Sequence, residues 1–306
     1  MNTEPRAPNT PPDHQRPMTL PRLGDMKQTG EPIVMVTAYD HPSAQVAEEA
    51  GVDMVLVGDS AAMAVLGHDS TVPVSLDEMI VLTAAVRRGL THPLLVADLP
   101  FGSYEGSNEL AVASAQRLLK EGGCEAVKLE GGGASVDRAR AIVRAGIPTM
   151  GHVGLTPQTA TAIGGYKAQG RTAQRAAEVA EDALALQAVG CFGIVFEAIP
   201  ADVTSALMEK MEIPVIGIGA GPNTDGQVLV FHDLLGIYTG HTPRFVRRFA
   251  EVRAEMLRGV GSYVTEVRGR KFPADEHTYS IDPDELAEFR RYLNDETLAG
   301  TSAWDW

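Results

Sequence analysis

Eight short apolar runs punctuate the chain: Ile33–Thr37, Met54–Val57, Leu94–Ala97, Ala126–Leu129, Pro148–Gly151, Gly193–Phe196, Pro214–Ile218 and Leu235–Tyr238. None alternates apolar with polar residues, as a strand with one wet face would. Each is therefore expected to be buried on both faces and paired in parallel. Amphipathic stretches separate most of them. Ser75-Leu76-Asp77-Glu78 is a capping box, opening a helix expected to run to about Arg88. Gly51, Gly89, Gly123, Gly146 and Gly190 each lie between a helical stretch and a strand, where a left-handed helix stop is expected. Strands alternating with helices define an α/β fold. Eight such units over roughly 240 residues favour a closed (β/α)8 TIM barrel. Spacing alone leaves an open doubly wound sheet as the alternative.

Three segments are expected: a Pro-rich leader over residues 1–22, a catalytic barrel over 23–265, and a C-terminal extension and tail over 266–306. Pro5, Pro8, Pro11, Pro12, Pro17 and Pro21 make the leader extended or disordered, and it lacks the apolar core of a secretory signal. Asp282-Pro283-Asp284-Glu285 reads as a helix start in the extension, and Trp304 and Trp306 close the tail.

With 26 Lys+Arg against 40 Asp+Glu, the chain carries a formal net charge of −14, which argues against a nucleic-acid partner. There is no run of about 18 apolar residues, so no membrane partner is expected. An anionic substrate must then be held by a local cation, a metal or a backbone dipole. Cys124 and Cys191 lack metal-site spacing and are expected to be small buried hydrophobes, in keeping with a reducing, cytoplasmic compartment.

The polar residues at the strand ends carry the functional signal. Asp59-Ser60 follows the second strand, Asp98 the third, Lys128 and Glu130 mark the fourth, His152 the fifth and Glu197 the sixth. In a parallel barrel these ends share the face where catalytic groups gather. Carboxylates so crowded repel unless a cation sits among them. Asp59, Asp98 and Glu130 are hard oxygen donors of the kind magnesium uses; otherwise they cap loops or pair with Lys128, and Glu130 is equally suited to a place outside the ligand set. Lys128 is expected to act as a fixed positive charge rather than through a Schiff base. Glu197 stands between Ile194-Val195-Phe196 and Ala198-Ile199-Pro200, an apolar setting that would raise its pKa towards that of a useful general base. His152 is either a donor or proton shuttle or a satisfied core histidine. The glycine loop Gly217–Gly221 either binds phosphate or lets the chain turn closely. Gly164–Arg171 is either a lid or a static loop.

A divalent metal, a lysine and a carboxylate base form a kit for enolising a 2-oxo acid. The resulting enolate can attack a carbon electrophile, and the reverse reaction cleaves a carbon–carbon bond. These residues alone do not choose the direction.

Several motifs taken together do. They are Val36–Asp40, Val57-Gly58-Asp59-Ser60, Gly67–Thr71, Ala97–Pro100, Val127–Gly132, Gly151–Gln158, Gly164–Arg171, Ile216–Gly221 and Thr224–Gln227. In this order, over about residues 18–280, they resemble the ketopantoate hydroxymethyltransferase (3-methyl-2-oxobutanoate hydroxymethyltransferase) family. The resemblance implies a barrel of the phosphoenolpyruvate/pyruvate group, assembled as a homo-oligomer, usually a decamer. It implies a step of pantothenate biosynthesis: hydroxymethyl transfer from 5,10-methylenetetrahydrofolate to 3-methyl-2-oxobutanoate, giving 2-dehydropantoate through a Mg2+-stabilised enolate. It further implies Asp59 and Asp98 as magnesium ligands with Glu130 as a further metal-site acid. Asp59, Ser60, Asp98 and Lys128 would contact the oxo acid, and Glu197 would accept the proton. The competing readings are a barrel lyase cleaving a 2-oxo or 2-hydroxy acid, and a non-enzymatic phosphate-binding barrel.

Overall fold

A computed structural model describes residues 17–162, 164–240 and 242–294. The elements run α1 (Leu20–Thr29), β1 (Ile33–Thr37), α2 (His41–Ala50), β2 (Met54–Val57), α3 (Ala61–Ala64), α4 (Leu76–Arg87), β3 (Leu94–Asp98), α5 (Asn108–Arg117), β4 (Ala126–Lys128), α6 (Ala134–Arg144), β5 (Thr149–Gly154), α7 (Ala173–Ala188), β6 (Gly193–Glu197), α8 (Ala201–Met208), β7 (Val215–Ile218), β8 (Gly226–Leu229), α9 (Phe231–Leu234), α10 (Val252–Arg268) and α11 (Pro283–Leu293). The eight strands form a closed parallel barrel in chain order, β1 pairing with both β2 and β8. The fold is the expected (β/α)8 barrel.

Seven of the eight apolar runs became strands. The exception is Leu235–Tyr238, which follows α9; the eighth strand is Gly226–Leu229. That strand has an exposed Gln227 and only two large apolar residues, so it carries no apolar run to find, whereas Leu235 and Ile237 pack against the helix-side core instead. The capping box at Ser75 opens α4 as expected, with Ser75 accepting from the Glu78 N–H. Four of the five expected helix stops are left-handed, with φ between 77° and 96° at Gly51, Gly123, Gly146 and Gly190. Gly89 is not: α2 packs so near that a Cβ there would lie 2.8 Å from the His41 carbonyl.

The register sorts the strand residues into two sets. Met35 pairs with Met54, Leu56 with Val96, Val96 with Ala126, Met150 with Gly193 and Val195 with Ile216. The apolar side chains of this set, all but Gly193, form one buried cluster inside the barrel, joined at the strand-start end by Met18, Leu23 and Met26. The intervening set, including Val55, Leu95, Val127, Ile194 and Val215, packs outward against the helices. Helix α1 is held over the strand-start end by the Lys27–Asp225 ion pair at 2.8 Å and by Met18 N–H donating to His92 O at 2.7 Å. It begins at Leu20, inside the segment expected as leader, with Thr19 as its cap.

The described residues fall into two compact units that part between Glu251 and Val252. The second holds α10 and α11, neither of which buries a residue. Asp282 caps α11 from its expected position, accepting from the Asp284 N–H at 2.8 Å; Trp304 and Trp306 lie outside the described residues. Cys124 and Cys191 are free and buried, as expected.

Candidate active site

The inward-facing set changes chemistry towards the strand ends. Asp98 pairs in register with Lys128, His152 with Val195, and Glu197 with Gly154 and Ile218. Asp98, Lys128, His152 and Glu197 therefore project into the barrel from the same parity as Val96, Ala126, Met150 and Val195 below them. Glu130 continues this parity two residues beyond Lys128. Asp59 and Ser60 lie in the tight turn from β2 into α3, where Ala61 N–H donates to Gly58 O. Asp59, Ser60, Asp98, Lys128, Glu130, His152 and Glu197 all line one cavity of about 1010 Å³. All the residues singled out from the sequence thus meet in one place.

Their contacts form a continuous chain. Lys128 Nζ lies 2.8 Å from Asp98 Oδ1, and the Asp59 N–H donates to Asp98 Oδ2 at 3.0 Å. His152 spans two carboxylates, with Nδ1 3.3 Å from Glu130 Oε1 and Nε2 3.1 Å from Glu197 Oε2. Burial and the neighbouring Lys128 ammonium, 3.2 Å from Nδ1, push the imidazole pKa down. The adjacent carboxylates of Glu130 and Glu197 outweigh them and raise it to about 9. Burial would likewise lower Lys128, but the charges of Asp98, Glu130 and Asp59 dominate and hold it as ammonium. Its ion pair with Asp98 fits the electrostatic role expected of it. The setting of Glu197 is less apolar than its sequence neighbours suggest, because His152 reaches it from the adjacent strand.

The backbone around Glu197 is unusual. Ala198, immediately after it, has φ 50°, a conformation that costs a non-glycine residue on the order of 1 kcal/mol. Across the sheet Gly154 has φ 95°, and a Cβ there would lie 2.2 Å from the Glu197 carbonyl. Only glycine lets β5 approach closely enough for Leu155 N–H to donate to that carbonyl at 2.9 Å. The strand end bearing Glu197 is thus fixed from both sides.

The donor set suits a divalent cation. Burial, reinforced by the charges of Glu130 and Asp98, pushes the Asp59 carboxyl up to about 8; burial also raises Asp98, against the pull of Lys128. These are acids short of positive charge, which fits a cation bound by hard oxygens. Among the described residues no three His, Cys, Asp or Glu side chains form a metal-holding group. Two carboxylates completed by water and substrate oxygens suffice for magnesium. Asp59 and Asp98 fit that role. Glu130 has Oε1 near His152 and Oε2 accepting from the Gln158 N–H at 3.0 Å, both oxygens meeting protein groups as those of Asp98 do.

Three site residues escaped the sequence reading. Gln158 donates from Nε2 to Asp59 Oδ2 and to Leu99 O, each at 3.0 Å. Tyr104 donates to Gln158 Oε1 at 2.7 Å. The Tyr39 hydroxyl lies 2.8 Å from Ser60 Oγ. Tyr39 and Gln158 fall within the quoted motifs, but neutral polar side chains carry no mark that separates them from loop residues.

At Gly219 the glycine loop meets the close approach expected of it. The Phe245 ring lies against it so closely that a Cβ would be 2.4 Å from the ring. Tyr166 and Lys167, from the segment expected to be a lid or a static loop, line the outer part of the same cavity with Arg244 and Phe245.

Fold and site together define a (β/α)8 barrel with a cavity of buried charged side chains at its strand ends. The particular lineage follows from comparison with known proteins. The model of the ketopantoate hydroxymethyltransferase family matches residues 17–275, and the chain belongs to that family. It is 53% identical over 262 residues to the 3-methyl-2-oxobutanoate hydroxymethyltransferase of Moorella thermoacetica, covering 86% of this chain and 97% of that protein. It is 52% identical over 285 residues to the mitochondrial 3-methyl-2-oxobutanoate hydroxymethyltransferase 1 of Oryza sativa subsp. japonica, covering 91% and 78%. Among solved structures, a phosphonopyruvate hydrolase complexed with oxalate and Mg++ superposes with a TM-score of 0.56 at 13% identity, covering 92% of this chain and 98% of that one. A 2,3-dimethylmalate lyase of the PEP mutase/isocitrate lyase superfamily gives 0.51 at 13%, covering 94% and 100%. At such identities the likeness is one of fold.

Proposed function

We propose that this hydroxymethyltransferase moves a one-carbon unit from 5,10-methylenetetrahydrofolate to 3-methyl-2-oxobutanoate, forming 2-dehydropantoate. The observation that carries the reading is the position of Glu197. Its side chain is 14% exposed to the cavity, whereas those of Asp98, Lys128, Glu130 and His152 are 2–4% exposed. It is the acid in that chain of contacts most open to a substrate.

In this account the Lys128 ammonium and the Ser60 hydroxyl bind oxygens of the oxo acid, with Tyr39 orienting Ser60. Asp59 and Asp98 would hold magnesium, which when bound supplies Lewis-acid stabilisation of charge developing on the keto oxygen. Glu197 takes the proton from C3, next to the carbonyl. His152, with Nε2 3.1 Å from Glu197 Oε2 and Nδ1 3.3 Å from Glu130 Oε1, lies between the two carboxylates and helps to position Glu197. The C3 enolate carbon then bonds to the methylene carbon of the folate, the carbon–nitrogen bonds to it break, water supplies the hydroxyl, and tetrahydrofolate leaves with 2-dehydropantoate. A cavity of about 1010 Å³ far exceeds an acceptor of this size. Its outer part, with the rings of Tyr166 and Phe245 and the cations of Lys167 and Arg244, suits a flat pterin with an anionic tail. From the family resemblance we also take the enzyme to be a cytoplasmic homo-oligomer, a decamer; among the described residues no helix is long and apolar enough to cross a membrane.

Product formation should require both substrates together. Formation of 2-dehydropantoate only when folate and oxo acid are both present supports the assignment. Cleavage of a 2-oxo or 2-hydroxy acid without folate would favour a lyase. Against a lyase that relies on a cysteine near the site, burial pushes the thiols of Cys124 and Cys191 up to about 12, and neither lines the cavity.

A further inference from the structure

We propose that Gln158 is a positioning residue of this site: one side-chain amide and one backbone N–H hold the Asp59 and Glu130 carboxylates in their working orientations. The proposal rests on the functional reading above and adds a residue to it.

Gln158 follows β5 in a single tight turn, Pro157–Thr159. Thr159 N–H donates to Thr156 O at 3.0 Å, and the two threonine hydroxyls lie 2.7 Å apart, so the turn is braced locally. The residue is 4% exposed. From there it reaches the ends of three strands. Its backbone N–H donates to Glu130 Oε2, and Nε2 donates both to Asp59 Oδ2 and to the Leu99 carbonyl. Its Oε1 accepts from Tyr104, whose hydroxyl also lies 3.3 Å from the Glu130 nitrogen.

Chemistry fixes which way the amide points. Turned over, it would set its oxygen against a carboxylate and a carbonyl, with no hydrogen between them. Both amide hydrogens are therefore engaged by acceptors, and Tyr104 locks the orientation. Two carboxylates that repel each other are tied to one residue through one oxygen each. For Asp59, a proposed metal ligand, this removes rotation about its last side-chain bond. For Glu130 it leaves Oε1 facing His152. Groups that orient ligands in this way are worth about 10- to 100-fold in metal affinity.

The test uses the whole chain with Mn2+ as a probe. Gln158→Met keeps the shape and removes both donors; Gln158→Glu keeps the shape and turns a donor into an acceptor. Free Mn2+ is read by electron paramagnetic resonance, C3–H exchange of 3-methyl-2-oxobutanoate in deuterated water by NMR, and folding by thermal melting. Both variants should bind Mn2+ about 10- to 100-fold more weakly, with the larger loss in Gln158→Glu, and both should show a raised KM for exchange. A purely structural residue would lower the melting temperature and leave Mn2+ affinity of the folded fraction unchanged. Should Gln158→Met not fold, Tyr104→Phe removes only the locking hydroxyl and should still weaken Mn2+ several-fold. Unchanged Mn2+ affinity and unchanged exchange in the folded variants overturn the proposal. Wild-type protein that neither exchanges nor binds Mn2+ contradicts the functional reading and takes the proposal with it.

Discussion

The two ends of the barrel interior are buried to the same degree and built from opposite chemistry. Towards the strand starts, Met54 and Met150 are 1% and 0% exposed, and Leu23 of α1 closes the floor at 1%. Towards the strand ends, Asp98, Lys128 and His152 are 2–3% exposed. Both layers descend from one parity of the same strands. The floor contributes the burial free energy on which the fold depends, about 1.5–3 kcal/mol for each large side chain. The upper layer offsets some of it, because buried charges are tolerated only when each finds a partner. Here Asp98 has Lys128 and His152 lies between Glu130 and Glu197, while Asp59 has only the neutral Gln158 amide. The lesson is that the groups of this site lean on one another, and removing one member strands another.

The sharpest way to break the contrast is to orphan a charge. Lys128→Met leaves Asp98 buried without its cation and should lower stability by about 3–5 kcal/mol, read by chemical denaturation, besides abolishing turnover. A loss of activity at unchanged stability would mean that Asp98 has another partner. Next comes the base. Glu197→Gln keeps an acceptor for His152 and should reduce product formation by about 100- to 10,000-fold, with the melting temperature nearly unmoved. The floor should behave in the opposite way. Leu23→Ala is expected to cost about 2–5 kcal/mol while leaving the KM and kcat of the folded enzyme at wild-type values. A changed KM would show that the two layers are coupled. The smallest effect belongs to the cap of α1. Thr19→Ala should cost about 0.5–1 kcal/mol, visible in a thermal melt and silent in the assay.

The sequence made the barrel legible where strands are buried on both faces, since an unbroken apolar run is a local signal. It hid β8, whose Gln227 faces outward and whose short span holds little apolar surface. Because both faces are apolar, the lower half of each strand does not reveal which side faces inward. The polar residues at the strand ends do, and for that reason Asp98, Lys128, His152 and Glu197 were readable as a converging set. What the sequence could not show is tertiary in origin. Gln158 and Tyr104 come from separate loops, and their roles exist only once β2, β3 and β4 end side by side. The surroundings of Glu197 were hidden for the same reason: its neighbours along the chain are apolar, and its neighbour across the sheet is His152.

The central claim is that Glu197 removes a proton beside a carbonyl in a site charged for that purpose. Incubating the protein with 3-methyl-2-oxobutanoate in deuterated water, without folate and with magnesium present or chelated, tests it most directly. The account predicts metal-dependent loss of the C3 proton signal in the wild type and none in Glu197→Gln. Exchange at the wild-type rate in Glu197→Gln, or exchange indifferent to magnesium, would contradict it.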